Sequence, residues 1–192
     1  ELGADLIKVG LEGRDGAAKS NFLKRCAENA YSLVVVSPGP AERLEAAMTI
    51  HAVGDRPRRS FVRVQCGGLD PSEVDRVLFG VAMPDSTGRP RLGLKGFIIQ
   101  SSGGTLFLDD FDVLPPRTQI RLAQLIETGS VRPCDSYEPI EVDVHLICAT
   151  SRTMEACSTA LVPQLWFQLA PRCIEIPSLG GSTSKFGNIV TF

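Results

Sequence analysis

Gly103-Gly104-Thr105-Leu106-Phe107-Leu108-Asp109-Asp110 is the stretch that decides the fold of this chain. Thr105 to Leu108 is a short β-favouring run, closed by two adjacent carboxylates. An apolar strand without alternation is buried on both faces, as in a parallel sheet. Acids at its carboxyl end stand where such sheets bind ligands. In a nucleotide-hydrolysing α/β protein the first acid would hold Mg²⁺ and the second would orient the attacking water. The same residues also describe a plain strand followed by an acidic turn, so the surrounding sequence has to decide.

Downstream, Pro115-Pro116 opens a helix carrying Ile120, Leu122, Leu125 and Ile126, ended by Gly129. Val131 to Val142 reads as a two-stranded excursion, Val144 to Ala149 as a buried strand, and Cys173 to Pro177 as a last short strand. Upstream, Leu33 to Val36 is a continuous β-branched run. Ser37-Pro38-Gly39-Pro40 breaks it, and Ala41 to His51 resumes a helix with Leu44, Ala47 and Met48 inward. A loop rich in Arg and Pro, Asp55 to Arg59, leads to a strand over Phe61 to Cys66. Asp70-Pro71-Ser72-Glu73 then starts a helix through Val74, Val77 and Leu78. Val81 to Leu94, broken by Pro84, Gly88, Pro90 and Gly93, reads as an exposed insertion. Farther out, Asp15 to Ala30 has helical apolar spacing. Strands alternating with helices predict an α/β layered fold with a mostly parallel sheet.

The chain has 192 residues, 43% of them hydrophobic, and a formal charge of −2. It is long enough for one core without staples, and too acidic overall to grip nucleic acid by electrostatics alone. Six cysteines form no C-x-x-C pair, and His51 and His145 are the only histidines, which argues against zinc. Cys66, Cys148 and Cys173 lie in apolar runs and read as reduced core thiols of a cytoplasmic protein. No apolar run reaches membrane length, so no membrane partner is expected.

In this order the motifs resemble one family, the AAA+ ATPase domain of bacterial enhancer-binding activators that remodel the sigma-54 RNA polymerase. The resemblance spans roughly Leu33 to Leu179. Gly103 to Asp110 is similar to its Walker B strand, supported by Leu78-Phe79-Gly80, by Gln119 with Arg121-Leu122, and by Val142-Asp143-Val144 running to Ala149-Thr150. The resemblance implies a three-layer αβα core with a mostly parallel five-stranded sheet over residues 32–179. Residues 1–31 would be an N-terminal helix leading in, and 180–192 a tail or truncated continuation. The family's helical lid and DNA-binding helix-turn-helix have no counterpart in this sequence, so DNA contact is expected only through another domain.

The departures lie at the sites of activity. The stretch matching the phosphate loop is Ser37-Pro38-Gly39-Pro40-Ala41-Glu42-Arg43. Such a loop needs consecutive N–H groups facing phosphate and a lysine charge. Pro38 and Pro40 each remove a donor and fix φ. Glu42 sets a carboxylate where phosphate would lie, a like-charge contact costing on the order of 4 kcal/mol at a surface-like dielectric. Arg43 keeps only the lysine's sign. The nucleotide-site candidates are therefore Ser37, Gly39, Glu42 and Arg43. Asp109 and Asp110 are Walker B remnants with no catalytic role expected, and Asp109 is the metal ligand only if Mg²⁺ binds. No cofactor is expected, and ATP with Mg²⁺ only if the altered loop still binds.

The loop that relatives use on polymerase, GAFTGA, matches Pro84 to Arg89. Its partner-loop candidates are Asp85, Ser86, Thr87, Gly88 and Arg89, with Ser86 where the family has an aromatic anchor. Val162 and Gln168 stand at the arginine-finger positions, Gln65 at an asparagine and Ser151 at a sensor position. The expected function is a degenerate regulatory or protein-interaction module, its partner an activator subunit or a second copy. Two alternatives stay open: a sensory domain holding an anionic nucleotide through Arg43 and the Arg56–Arg59 loop, and a residual ATPase. His145 reads as a hydrogen-bonded or half-exposed strand residue, and His51 as a helix-end cap favoured by the dipole. Leu165, Trp166 and Phe167 read as a packing cluster.

Overall fold

The computed structural model describes residues 32–176. The helix expected over Asp15–Ala30 and the tail over 180–192 lie outside them. In chain order the elements are β1 (Ser32–Val36), α1 (Pro40–Val53), β2 (Phe61–Gln65), α2 (Val74–Phe79), β3 (Val81–Pro84), β4 (Pro90–Leu94), α3 (Phe97–Gln100) and β5 (Thr105–Asp109). They continue with α4 (Pro116–Thr128), β6 (Ser130–Val131), β7 (Ile140–Glu141), β8 (His145–Thr150), α5 (Met154–Ala160), α6 (Pro163–Leu169) and β9 (Cys173–Glu175).

Five strands make one parallel sheet in the order β2-β5-β8-β1-β9. Strand alternation sorts the core into two layers. Val35, Phe107, Ile147, Ala149 and Ile174 pack against Ala46, Ala47 and Ile50 of α1. Val34, Val36, Leu106, Leu108, Leu146 and Cys148 face the other way, onto α2 and α4 to α6. Helices on both faces explain the apolar runs of the inner strands β1, β5 and β8, whereas the edge strand β2 alternates, with Arg63 and Gln65 more exposed than Val64.

Two antiparallel ribbons leave this sheet, β3–β4 and β6–β7. The insertion expected from the sequence is the β3–β4 ribbon, most of it exposed. Val81 and Ala82 are buried at its base, where the Ala82 N–H donates to Cys134 O at 2.8 Å and the Cys134 N–H to Gly80 O at 2.8 Å.

Several expectations shift. α2 begins at Val74, because the Asp70 carboxylate is held by the Ser72 N–H at 2.8 Å and the Ser72 hydroxyl at 2.7 Å in a turn that precedes the helix. The inward stripe of α1 is Arg43, Ala46, Ala47 and Ile50, whereas Met48 is exposed. His51 is no charged cap: its Nδ1 meets Thr105 Oγ1 at 2.9 Å, its ring lies against Phe61, and burial lowers its pKa. His145 is buried rather than half-exposed, and its Nε2 has no partner among the described residues. Burial, with Arg56 nearby, pushes its pKa down to about 4. Leu165 is fully buried and Trp166 packs on the core, but Phe167 is exposed. Cys66, Cys148 and Cys173 are free buried thiols, as expected; burial pushes Cys66 and Cys173 up to about 12, so both stay protonated.

Candidate functional site

The site lies at the carboxyl edge of the sheet, and strand parity builds it. Asp109 shares the face of Thr105 and Phe107, so it points to the α1 side. Register pairs Arg63 with Phe107 and Gln65 with Asp109, which brings both β2 side chains to the same face. From α1 comes Arg43, one turn above Ala46 and Ala47 on the buried stripe at helical spacing. Asp110 follows the strand in a left-handed conformation, φ 54° and ψ 43°. Such a backbone is uncommon for a residue with a Cβ and costs on the order of 1 kcal/mol.

These residues form a closed charge network. Arg43 Nε donates to Asp109 Oδ1 at 2.7 Å, and one terminal nitrogen to Asp110 Oδ1 at 3.0 Å. Its other terminal nitrogen donates to Ser37 O at 3.1 Å. Arg63 reaches Asp109 Oδ2 at 3.0 Å and Gln65 Oε1 at 3.1 Å. Gln65 Nε2 donates to Asp110 Oδ2 at 2.6 Å. Arg43 and Asp109 are buried, with side chains 4% and 0% exposed. Every carboxylate oxygen of the two acids thus already accepts from a side chain. A planar guanidinium can span two carboxylates where a lysine ammonium acts as a point charge.

The loop itself carries Gly39 as N-cap and Pro40 at the first helical position. Glu42, in the first turn, folds its carboxylate back over Gly39, so that a Cβ on Gly39 would overlap it. Ser37 is buried, its hydroxyl without a partner among the described residues. Asp109 and Asp110 are not turn caps: Asp110 precedes the 3₁₀ turn Phe111–Val113 without a side-chain capping bond.

Other candidates fall elsewhere. Arg56 bonds Asp143 O at 2.8 Å and Asp143 Oδ1 at 2.5 Å, just before β8. That is the amino edge of the sheet, about 13 Å along a five-residue strand from Asp109. Arg43 and the Arg56–Arg59 loop therefore do not share a site. At the finger positions, the Val162 N–H donates to Gln119 Oε1 at 2.8 Å, and Gln168 Oε1 is buried without a partner among the described residues. Ser151 is exposed, while the adjacent Arg152 pairs with Asp112 at 2.6 Å. Asp85 closes the β3–β4 tip by accepting from the Thr87 N–H at 2.8 Å, the Thr87 hydroxyl at 2.6 Å and the Arg89 N–H at 3.1 Å. Gly88 there has φ 80°, a left-handed position suited to glycine. Sequence reasoning missed Arg63, although its parity with Gln65 on a strand beside the acids was a usable signal.

Sheet order, helix layers and an acid pair facing a loop-to-helix turn define an AAA+ domain of the P-loop NTPase class. The Sigma-54 interaction domain family model matches residues 12–175, and the chain belongs to that family. A protein of Pseudomonas sp. (strain NS671), described as an uncharacterized protein in the HyuA 5' region, is 35% identical over 135 residues, 69% of this chain and 46% of that protein. The transcriptional regulatory protein ZraR of Escherichia coli K12 is also 35% identical over 135 residues, 69% of this chain and 30% of ZraR. The acetoin dehydrogenase operon transcriptional activator AcoR of Bacillus subtilis is 26% identical over 186 residues, 96% of this chain and 31% of AcoR. The chain thus spans less than half the length of these curated relatives.

Among solved structures, NtrX from Brucella abortus in complex with ADP superposes with TM-score 0.73 at 22% identity, over 85% of this chain and 35% of that one. The P-loop NTPase domain of a sigma-54 transport activator from E. coli gives TM-score 0.56 at 17% identity, over 83% of this chain and 94% of that one. At these identities the likeness speaks for the fold.

Proposed function

We propose that this domain serves a transcription regulator as a regulatory or protein-interaction module that does not hydrolyse ATP, its partner an activator subunit or a second copy. The regulator context is that of ZraR and AcoR. One observation carries the loss of turnover: Arg43 occupies the Walker B acids from inside the chain. The residues at this edge do not fit ATP with Mg²⁺. Pro38 and Pro40 withhold two donors from the phosphates, the Glu42 carboxylate folds back at the helix entrance, and both Asp109 oxygens already accept from arginines whose positive charge opposes a metal ion there. Val162 and Gln168 supply no positive charge in trans. The residual-ATPase alternative would require Arg43 to leave a buried ion pair, which costs about 3–5 kcal/mol.

The test is a melting curve with and without Mg-ATP, beside a hydrolysis assay over a range of protein concentrations. A ligand at 100 times its Kd stabilises by about 2.7 kcal/mol, so unchanged melting and no turnover above a heat-denatured control are expected. Turnover that rises with protein concentration and vanishes in Asp110→Asn would overturn the proposal.

A further inference from the structure

Three sulfurs meet on the face of the sheet opposite Arg43 and Asp109. The Thr153 side chain caps α5 by accepting the Ala156 N–H at 3.3 Å, which fixes the first turn. Met154 and Cys157 follow at a spacing of three, so both side chains lie on one face of that turn. Cys173 arrives from the other direction. It opens β9 in register with Val34 of β1 and shares that residue's core layer, beneath α4 to α6. Its thiol donates to Met154 Sδ at 2.8 Å, a close approach for two sulfurs. Cys157 lies within electrostatic reach of Cys173. All three are buried, Cys157 at 1% exposure and the other two at 7%.

Methionine and cysteine also serve simply to fill a core, and the test separates that role from a chemical one. The chemistry of the set is narrow. Thiolate and thioether sulfurs are soft ligands that suit Cu(I), zinc or iron–sulfur clusters. Zinc in a closed site and the common clusters each take four ligands. Only three sulfurs converge here, one of them an uncharged thioether. Among the described residues, no three His, Cys, Asp or Glu side chains are placed to share a metal ion. Charge points the same way. One monovalent cation on one thiolate sums to zero, so an apolar core would bury no net charge. A divalent ion would need a second thiolate to reach the same balance.

We propose that Cys173 and Met154, with Cys157 as third donor, bind a soft monovalent metal ion of the Cu(I) type. On binding, the ion forms bonds to the Cys173 sulfur and to Met154 Sδ. The Cys173 S–H bond breaks, and its proton leaves to solvent with no change in oxidation state. With metal–sulfur bonds of about 2.3 Å, the two sulfurs would stand at most about 4.6 Å apart. Met154 Sδ therefore moves out by less than about 2 Å, which its three rotatable bonds allow. The ion would tie β9, a sheet edge that pairs only with β1, to α5. This site is independent of the nucleotide edge and of the module function proposed above.

Cu(I) is offered to the whole reduced chain under nitrogen from its complex with bicinchoninate, whose loss of colour measures the affinity. Uptake of one ion per chain is expected, with no comparable uptake of Zn²⁺. Met154→Leu conserves volume, and should weaken binding at least tenfold while the metal-free melting temperature stays within a few degrees. Cys173→Ala should weaken it a hundredfold or more. The double variant Cys26→Ala/Cys134→Ala removes the half-buried Cys134 and the cysteine outside the described residues, and should bind as the unmutated chain does. No stoichiometric uptake, an unchanged affinity in Met154→Leu or Cys173→Ala, loss of binding in the double variant, or equal affinity for Zn²⁺ would overturn the proposal.

Discussion

Arg43 shows how one side chain can be read correctly in sign and incorrectly in place. The sequence marks it as the residue standing where a phosphate-binding lysine belongs. Counting arginine as polar, however, puts the inward stripe of α1 on Leu44, Ala47 and Met48. The stripe observed begins with Arg43 itself, because the buried Asp109 and the half-buried Asp110 face that turn and no hydrophobic count can register them. Arg43→Ala would leave Asp109 buried with only Arg63. The expected loss is about 3–5 kcal/mol, read as a lower midpoint in urea. Arg43→Lys should lose less, since an ammonium still meets one carboxylate. Glu42→Gln should cost a few tenths to about 1 kcal/mol, the worth of a first-turn acid at a helix N-terminus, and should not restore an ATP-dependent shift in melting.

His145 belongs to the same scale. Its pKa in the folded chain, about 4, lies below the ordinary value of about 6.5. The unfolded chain therefore takes up the proton first. This contribution to stability is complete above pH 6.5 and is lost as pH falls from 6.5 toward 4, by roughly 3 kcal/mol. Asp55 opposes the shift, while Arg56 and His51 add to it. Urea midpoints at pH 7 and pH 4.5 should differ by less in His145→Gln than in the unmutated chain.

Among elements, the first half of α4 is fastened by side chains, of which the sequence marked Gln119 and Arg121 only as family motifs. Gln119 Nε2 donates to Leu114 O at 2.8 Å while its Oε1 receives the Val162 N–H at the start of α6. Asp75 on α2 receives the Thr118 hydroxyl at 2.7 Å and pairs with Arg117 and Arg121 at 3.1 Å. Arg121 also lies 3.8 Å over the Phe79 ring. Gln119→Leu would orphan a carbonyl and an N–H together, at about 1–3 kcal/mol each, visible as earlier melting. Periodicity alone found α4 and its Gly129 stop to within a residue, because both signals are local. It could not find the paired base of the β3–β4 ribbon, since Gly80 and Ala82 are bound by Cys134, some fifty residues away in sequence. With Ser86 at the ribbon's tip, addition of this domain and ATP to a sigma-54 promoter with its polymerase is expected to give no open complexes. Open complexes in a permanganate footprint would reverse that expectation.

For the whole molecule, the alternation of strands with helices was legible because β1, β5 and β8 are short and largely apolar. The ion network was legible only in its parts, since it joins α1, β2 and β5 through parity and register. Its members come from three separate stretches, and together they hold the carboxyl edge of the sheet in one arrangement. The domain is expected to fold and to melt at one temperature whether or not Mg-ATP is present. A charge tethered to the chain stands beside its partner at a fixed effective concentration, independent of what the surrounding solution holds. A free nucleotide reports the energy supply of a cell by filling or leaving a site. A falling ATP pool can empty such a site, but it cannot dilute Arg43.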